Sequence, residues 1–166
     1  MKIKTLSVLL LLLFSLAACS DSDDVVAIFT GKTWKLNVIY SVGKEDLSYW
    51  SDKETHEASM KKKKERGFNV KFDGAQVDNI VTGTFTGQGY DSSFSGNWSC
   101  NADRKNIHIT SFETRGSEND VFAKAFVNAM KNVTGYRPGS DINNLYLDFK
   151  EGVETKYMSF TVIRGE

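Results

Sequence analysis

Apolar and polar residues alternate along several short segments of this chain, and this period of two most restricts its fold. The first such segment has its apolar residues at Trp34, Leu36, Val38 and Tyr40. The pattern recurs, separated by turn residues, in segments 68–72, 77–85, 94–100, 106–110, 145–149 and 158–162. Alternation of this kind is typical of strands with one buried face, and a spacing of about ten residues indicates a meander. About eight strands favour a closed or nearly closed antiparallel β-barrel.

Two segments have a helical pattern instead. Residues 52–65 contain many strong helix formers and end in a basic run before Gly67, which predicts a mostly exposed helix. Residues 117–120 resemble a capping box, and apolar residues then follow at helical spacing up to Met130. This stripe predicts a helix that packs against one end of the sheet. The expected fold is therefore mainly β with α, a small antiparallel barrel with one packed helix and one exposed helix.

The N-terminus resembles an export signal. Two lysines precede an apolar run over residues 6–16, which is shorter than the about 20 residues needed to span a bilayer. The sequence Leu-Ala-Ala-Cys at 16–19 resembles the lipobox of bacterial lipoproteins. This resemblance implies cleavage after Ala18 and lipidation of Cys19, and so a membrane attachment. The alternative is an ordinary signal peptide cut after Ala18, with Cys19 incidental.

We therefore divide the chain into a signal peptide (1–18), an acidic tether (19–27) and a single domain (28–166). The tether prediction depends on the polar, acidic residues 20–24, which show no periodicity. An acidic run directly after the lipidated cysteine resembles the surface-export signal of lipoproteins in the Bacteroidetes group. This resemblance implies an outer-membrane protein that faces the cell exterior. The periplasmic face is the alternative, with the acidic run as a solvated spacer.

Charge and cysteine content exclude some functions. The chain has 21 basic and 21 acidic side chains; without Lys2 and Lys4 the exported part has 19 and 21, so we expect no nucleic-acid partner. If Cys19 is lipidated, only Cys100 remains, and one thiol cannot form an intramolecular disulfide. Cys100 shares a strand face with Phe94 and Trp98, so a buried, unreactive thiol is expected. We expect a monomer.

Several short motifs resemble the META domain, a small bacterial barrel-like fold often carried on lipoproteins and envelope proteins. They are Gly-Lys-Thr-Trp-Lys-Leu at 31–36, Gly-Thr-Phe-Thr-Gly at 83–87, Phe-Ser-Gly-Asn-Trp at 94–98 and Leu-Tyr-Leu at 145–147. The resemblance covers about residues 31–163. The chain lacks the family's Gly-Cys-Asn turn after Gly89, and residues 44–66 resemble an insertion. A lipocalin-like barrel is the alternative, and both imply the same fold class.

Catalytic motifs are absent from the sequence. Its two histidines, His56 and His108, do not form the spacings of zinc sites or of metalloprotease motifs, and both are expected to be exposed. We therefore expect a non-enzymatic binding or interaction module, without metal or cofactor, whose partner is an envelope protein or a glycan. The alternatives are a lipocalin-like carrier with an apolar ligand inside the barrel, and an enzyme of unrecognised type whose carboxylates meet in one pocket.

Two sets of residues are candidate binding sites. Aromatic residues in or beside predicted loops could hold a sugar, a peptide or a partner protein; these are Tyr49, Trp50, Tyr90 and Tyr136. The basic run could contact an anionic surface; its members are Lys61, Lys62, Lys63, Lys64 and Arg66. The alternatives are ordinary loop packing for the aromatic set and a solvated helix face for the basic set.

Overall fold

One antiparallel sheet that closes on itself forms the body of the protein in the computed structural model, which describes residues 21–139 and 141–163. Its strands are β1 (Thr33–Ser41), β2 (Lys44–Glu45), β3 (Asn69–Val77), β4 (Ile80–Gln88), β5 (Ser93–Asn101), β6 (Asn106–Arg115), β7 (Val133–Pro138), β8 (Asn144–Glu151) and β9 (Glu154–Val162). Pairing of β1 with β9 closes an eight-strand barrel, and the short β2 forms a hairpin with the last two residues of β1. The predicted mainly-β antiparallel barrel is confirmed.

Three helices accompany the barrel: α1 (Asp21–Phe29), α2 (Lys53–Glu65) and α3 (Val121–Lys131). The predicted exposed and packed helices correspond to α2 and α3. Asp52 begins α2 through a reciprocal capping box with Thr55, which satisfies backbone N–H groups at the helix start. Asp120 begins α3 by accepting hydrogen bonds from the N–H groups of Phe122 and Ala123. Of the predicted capping box at residues 117–120, Asp120 is therefore the residue that caps the helix.

The helices α1 and α3 lie at opposite ends of the barrel. The turns after β3, β5 and β7 form one end, where α1 packs against β3 and the 3₁₀ turn Ala102–Arg104. The turns after β1, β4 and β8 form the other end, where Phe122 and Phe126 of α3 contact the ring of Phe68 just before β3. The amphipathic stripe of α3 therefore closes the barrel, as the sequence predicted.

The prediction of an unstructured tether over residues 19–27 is wrong from Asp21 onward, because α1 is folded onto the barrel. Val25 and Phe29 lie four residues apart on one helix face, and both are fully buried. The ring of Phe29 contacts Phe72 and Trp98, with centroids about 5 Å away in each case (5.1 and 5.0 Å). Burial of this apolar pair outweighs the polar character of the first helical turn.

A β-bulge corrects the predicted inward face of β1. The register with β9 shifts between Leu36 and Val38, and an extra residue reverses the alternation beyond it. Ile39 is therefore buried, whereas Val38 and Tyr40 are only half-buried on the outer face. There the ring of Tyr40 stacks on Tyr157, with centroids 4.7 Å apart. A period of two cannot reveal an inserted residue.

Side chains fill the interior of the barrel along the described strands. The largest fully buried ones on the strands are Trp34, Leu36, Ile39, Phe72, Phe85, Trp98, Phe149 and Phe160. Trp98 Nε1 donates hydrogen bonds to the carbonyl oxygens of Asp73 and Thr84, at 3.1 and 3.2 Å, so even the polar atom of this large ring is satisfied. A packed aromatic interior stabilises the fold and takes the space that an apolar ligand would need.

The predicted export signal, Cys19 and the three C-terminal residues lie outside the described residues. Within the part of the chain that is described, no helix is long and apolar enough to cross a membrane.

Candidate functional site

A surface concavity lies on the outer face of the barrel, across strands β3 to β6. It has a volume of about 510 Å³. Its lining comes mainly from outward-facing residues of neighbouring strands: Thr33, Asn69, Lys71, Thr86, Gln88, Ser93, Ser95, Glu113 and Arg115. Gly87 lies beneath it, and a Cβ atom there would overlap the ring of Phe94. Glycine is therefore required where β4 crosses this aromatic side chain.

A second concavity of about 270 Å³ adjoins the first at the α3 end of the barrel. Both are lined by Gln88, Ser93 and Arg115, and the second extends to Arg66 and Tyr90. We call this continuous depression the outer groove. Its position at the ends of β4 and β6 and the beginnings of β3 and β5 places it at the barrel end away from α1.

The outer groove combines neutral polar groups with balanced charges. Asn69 and Gln88 contribute amides, which donate and accept hydrogen bonds, and the Thr and Ser residues contribute hydroxyls. Lys71 forms an ion pair with Asp73, at 3.5 Å between Nζ and Oδ2. Glu113 and Arg115 place one acid and one base on β6. The groove can therefore form many directional hydrogen bonds without a strong charge of either sign.

Tyr90 forms the rim of the groove together with the C-terminal end of α2. Its hydroxyl donates to Glu65 Oε2 at 3.0 Å, and this hydrogen bond, together with desolvation, raises the pKa of Tyr90. The Arg66 guanidinium lies 4.7 Å from the ring centroid, within cation–π distance. Arg66 also pairs with Asp91 at 3.5 Å. Of the predicted aromatic residues, Tyr90 therefore lies at the groove, next to a basic residue of the other predicted set.

The loop that carries Tyr90 is held by one buried carboxylate. Glu118, only 7% exposed, accepts hydrogen bonds from the N–H groups of Asp91 and Ser92 at 3.0 and 2.9 Å, and from Ser92 Oγ at 2.6 Å. A Cβ atom at Gly89 would overlap this carboxylate. Glu118 and Gly89 therefore form a latch that fixes the rim of the groove.

Tyr49 and Trp50 lie against α3 and line none of the outer groove. Trp50 is 92% buried, and its ring contacts Phe122 at 4.9 Å and His56 at 4.5 Å. The expectation that His56 is exposed is thus wrong, because α2 packs its imidazole against this indole. Trp50 and His56, together with Leu47, line a small concavity of about 300 Å³.

A buried lysine anchors the segment that carries Tyr49. Lys156 Nζ pairs with Asp46 Oδ2 at 2.6 Å and with Glu151, and it lies 5.1 Å from the ring centroid of Tyr49. Burial alone would raise the pKa of Asp46, but hydrogen bonds from Lys156 and Ser48 outweigh it and lower that pKa. Burial and the nearby Glu151 charge raise the pKa of Tyr49. The cluster has a structural role, since it joins residues 46–49 to the β8–β9 hairpin.

Tyr136 is a core residue. The sequence placed it in or beside a loop, but it lies in β7 and is only 4% exposed. Its ring contacts Phe29 of α1 at 5.2 Å. Cys100 is also buried as predicted, and burial raises its pKa to about 11 against the opposing effect of a hydrogen bond with Tyr136.

The basic side chains at the C-terminal end of α2 do not all lie together. Lys62 pairs with Asp120 at 3.3 Å and lies 5.5 Å from the ring centroid of Tyr90, which Arg66 also contacts while it pairs with Asp91. Lys63 Nζ donates to the backbone oxygen of Asn37, and burial lowers its pKa. The two remaining members, Lys61 and Lys64, are exposed. The structure therefore does not bring the five cations together on one face.

Sequence reasoning did not find the groove residues of β3 to β6. Outward polar residues on a strand look the same whether they face a concavity or open solvent. The glycines at 83, 87 and 96 were the available signal, because they mark close approaches of neighbouring strands. Among the described residues, no group of three or more His, Cys, Asp and Glu side chains could hold a metal ion.

These features define a small, closed antiparallel β-barrel with a filled interior and a polar groove on its outer face. The chain belongs to the family described as a domain of unknown function, DUF4847, whose model matches residues 20–162. A search of curated proteins finds no match to this chain.

Proposed function

We propose that this protein is a lipid-anchored, non-enzymatic binding module of the cell envelope that holds a glycan in the outer groove. The observation that carries the proposal is the contrast between the two faces of the barrel. Buried aromatic and aliphatic side chains occupy the interior, whereas the outer face has the polar outer groove, whose first concavity has a volume of about 510 Å³. This volume is within the range of about 300–1,000 Å³ that is typical of ligand sites.

The lining chemistry favours a polyhydroxylated ligand. Each sugar hydroxyl both donates and accepts hydrogen bonds, and the amides of Asn69 and Gln88 and the hydroxyls around them match this property. The balance of Lys71 and Arg115 against Glu113 and Asp73 favours a neutral glycan over a strongly charged one. Tyr90 places one aromatic side chain at the rim, held in position by Glu65 and the Glu118 latch.

The position of α1 supports attachment with the groove facing away from the membrane. If Cys19 carries lipid, only Ser20 separates it from the first residue of α1, a span of about 7 Å. The α1 end of the barrel would then lie close to the bilayer, and the groove lies at the other end. An outer membrane location facing the cell exterior makes this groove accessible to extracellular or surface glycans. The META resemblance, with its envelope lipoproteins, agrees with this assignment.

The carrier alternative would need a cavity inside the barrel. The described strands fill that interior with Trp34, Trp98, Phe72, Phe85 and their neighbours, so we place the ligand outside.

Glycan-array screening of the purified protein tests the groove. We expect binding to neutral oligosaccharides, weakened about tenfold by Gln88→Ala and by Asn69→Ala, since each loses hydrogen bonds worth about 1.4 kcal/mol. Asn128→Ala, at an exposed amide on α3 outside the groove, is the matched control and should leave binding unchanged. Failure to bind any oligosaccharide, or equal loss in all three variants, would refute the glycan assignment.

Metabolic labelling with a fatty-acid analogue tests the anchor separately. The protein should incorporate the label, and Cys19→Ala should not. Surface exposure follows from digestion of intact cells by an added protease. If the wild-type protein incorporates no label, the anchoring proposal is overturned and the groove proposal is unaffected.

A further inference from the structure

We propose that the free edge of β6 accepts an extended polypeptide segment of a partner protein as an additional strand. Strand β6 pairs with β5 from Asn106 to Arg115, except at Thr110. Its pairing with β7 is limited to Asn106 opposite Gly135, supplemented by a hydrogen bond from Tyr136 N to Lys105 O. The barrel is therefore closed at this seam by a very short ladder.

Beyond this short ladder, no described strand pairs with the second edge of β6. After β6 the chain leaves the sheet to form α3, and β7 begins only after that helix, at Val133. Within the described part of the chain, all of residues 108–115 except Thr110 form backbone ladder pairs, and they form them with β5 alone. Six of these eight residues are exposed. An exposed row of unpaired backbone N–H and C=O groups is a template for another strand.

The side chains of β6 indicate what kind of segment fits. Ile109 and Phe112 pack against the core but remain half-buried, so an added strand would cover them with apolar residues at alternating positions. Glu113 and Arg115 are exposed on the outer face of the same strand. The fitting segment is therefore apolar on one face and places a basic residue near Glu113 and an acidic one near Arg115.

A second copy of this chain is a poorer occupant. The register of β6 with β5 shifts at Thr110, which has no partner between Ile109 and Ser111. A two-fold pairing of two β6 edges would bring this bulge into the new ladder twice, whereas a foreign segment meets it once. The proposal commits to a heterologous strand.

Titration of the full chain with a synthetic peptide, followed by amide chemical shifts, tests the proposal. The probe is a peptide as long as β6 in which valine and threonine alternate, and one aspartate and one lysine occupy polar positions. Two versions are made, which differ in the order of the aspartate and the lysine. We expect saturable shift changes concentrated at residues 107–115 for one of the two orders. N-methylation along one edge of the peptide should weaken binding about tenfold or more, because backbone donors are lost, while N-methylation along the other edge should not.

Two further variants separate the alternatives. Phe112→Ser should weaken peptide binding, whereas Gln88→Ala, which alters the outer groove, should leave it unchanged. Absence of binding, shift changes centred elsewhere, or equal effects of both N-methylated peptides would overturn the proposal even if Phe112→Ser fails to fold. Concentration-dependent dimerisation through β6 without peptide binding would assign the edge to a second copy instead. None of these outcomes depends on whether the groove binds a glycan.

Discussion

Replacement of Phe29 by alanine tests whether the N-terminal segment is part of the fold. Phe29 is fully buried at the last position of α1, and its ring contacts Phe72, Trp98 and Tyr136. Its backbone oxygen also accepts a hydrogen bond from Trp34 Nε1 at 3.4 Å. Removal of this ring would leave a cavity at the barrel end and release the helix from its principal contact.

The expected loss of stability follows from these contacts. Truncation of a buried phenylalanine costs about 3–5 kcal/mol. The lower end applies here, because Phe29 lies at the end of the barrel, where α1 can relax into the space. For a domain of this size about 3 kcal/mol corresponds to a fall in Tm of roughly 6–12 °C.

Thermal and urea unfolding of the variant measure this loss directly. Ile28→Ala is the matched control: its side chain is on the same helix but only half-buried, so a loss of about 1 kcal/mol is expected. If residues 21–29 were an unstructured tether, both substitutions would change the free energy of unfolding by less than about 0.5 kcal/mol. Equal, small effects would therefore refute the placement of α1 on the barrel.

Three further perturbations test individual interactions. Asp46→Asn should lower the free energy of unfolding by about 2 kcal/mol at pH 7. Because the folded-state pKa of Asp46 is depressed, the stability that this carboxylate contributes is present above about pH 4 and is lost as the pH falls further. Equal losses of stability in urea unfolding at pH 7 and pH 3 would contradict this role of Asp46. Gly89→Ala should cost about 2 kcal/mol by collision with Glu118, and an unchanged Tm would show that the latch is not rigid. Cys100, with its raised pKa of about 11, should react with a thiol reagent at pH 8 only as fast as the protein unfolds, and rapid labelling of the native protein would contradict its burial.

Most of the strands and two of the helices could be predicted because their signals are local. Alternation specified seven of the eight barrel strands, whereas β7 (Val133–Pro138) has no such pattern and was predicted as a loop. The helix formers over residues 52–65 and their basic C-terminal run located α2 to within one residue. The apolar stripe before Met130 similarly located α3. Each of these patterns reports burial of one face of one element, which the sequence of that element determines by itself.

The helix α1 and the bulge in β1 were missed for different physical reasons. A nine-residue helix has little intrinsic stability, and only its packing on the barrel makes the spacing of Val25 and Phe29 meaningful. The bulge after Leu36 inserts one residue and exchanges the faces of Ile39 and Tyr40. Tertiary pairing with β9 determines that insertion, so the local pattern around it could not.

The candidate site was predictable only in part. Tyr90 and Arg66 were singled out from composition, and the fold places both at the rim of the outer groove. Trp50 and Tyr136 have the same aromatic character but pack into the protein, because α2, α3 and α1 cover them. Which aromatic residues stay accessible depends on how the helices close the barrel ends, and this information is distributed over the whole chain.

The most direct test of the account is where an oligosaccharide contacts the protein. A neutral oligosaccharide selected by array screening, titrated into isotope-labelled protein, should shift the amide resonances of Asn69, Gln88 and Ser95, on the outer face of β3, β4 and β5. The resonances of the interior residues Phe72 and Trp98 should change little. Shift changes centred on the interior, as expected of a carrier, or on the small concavity lined by Trp50 would contradict the assignment of the outer groove as the binding site.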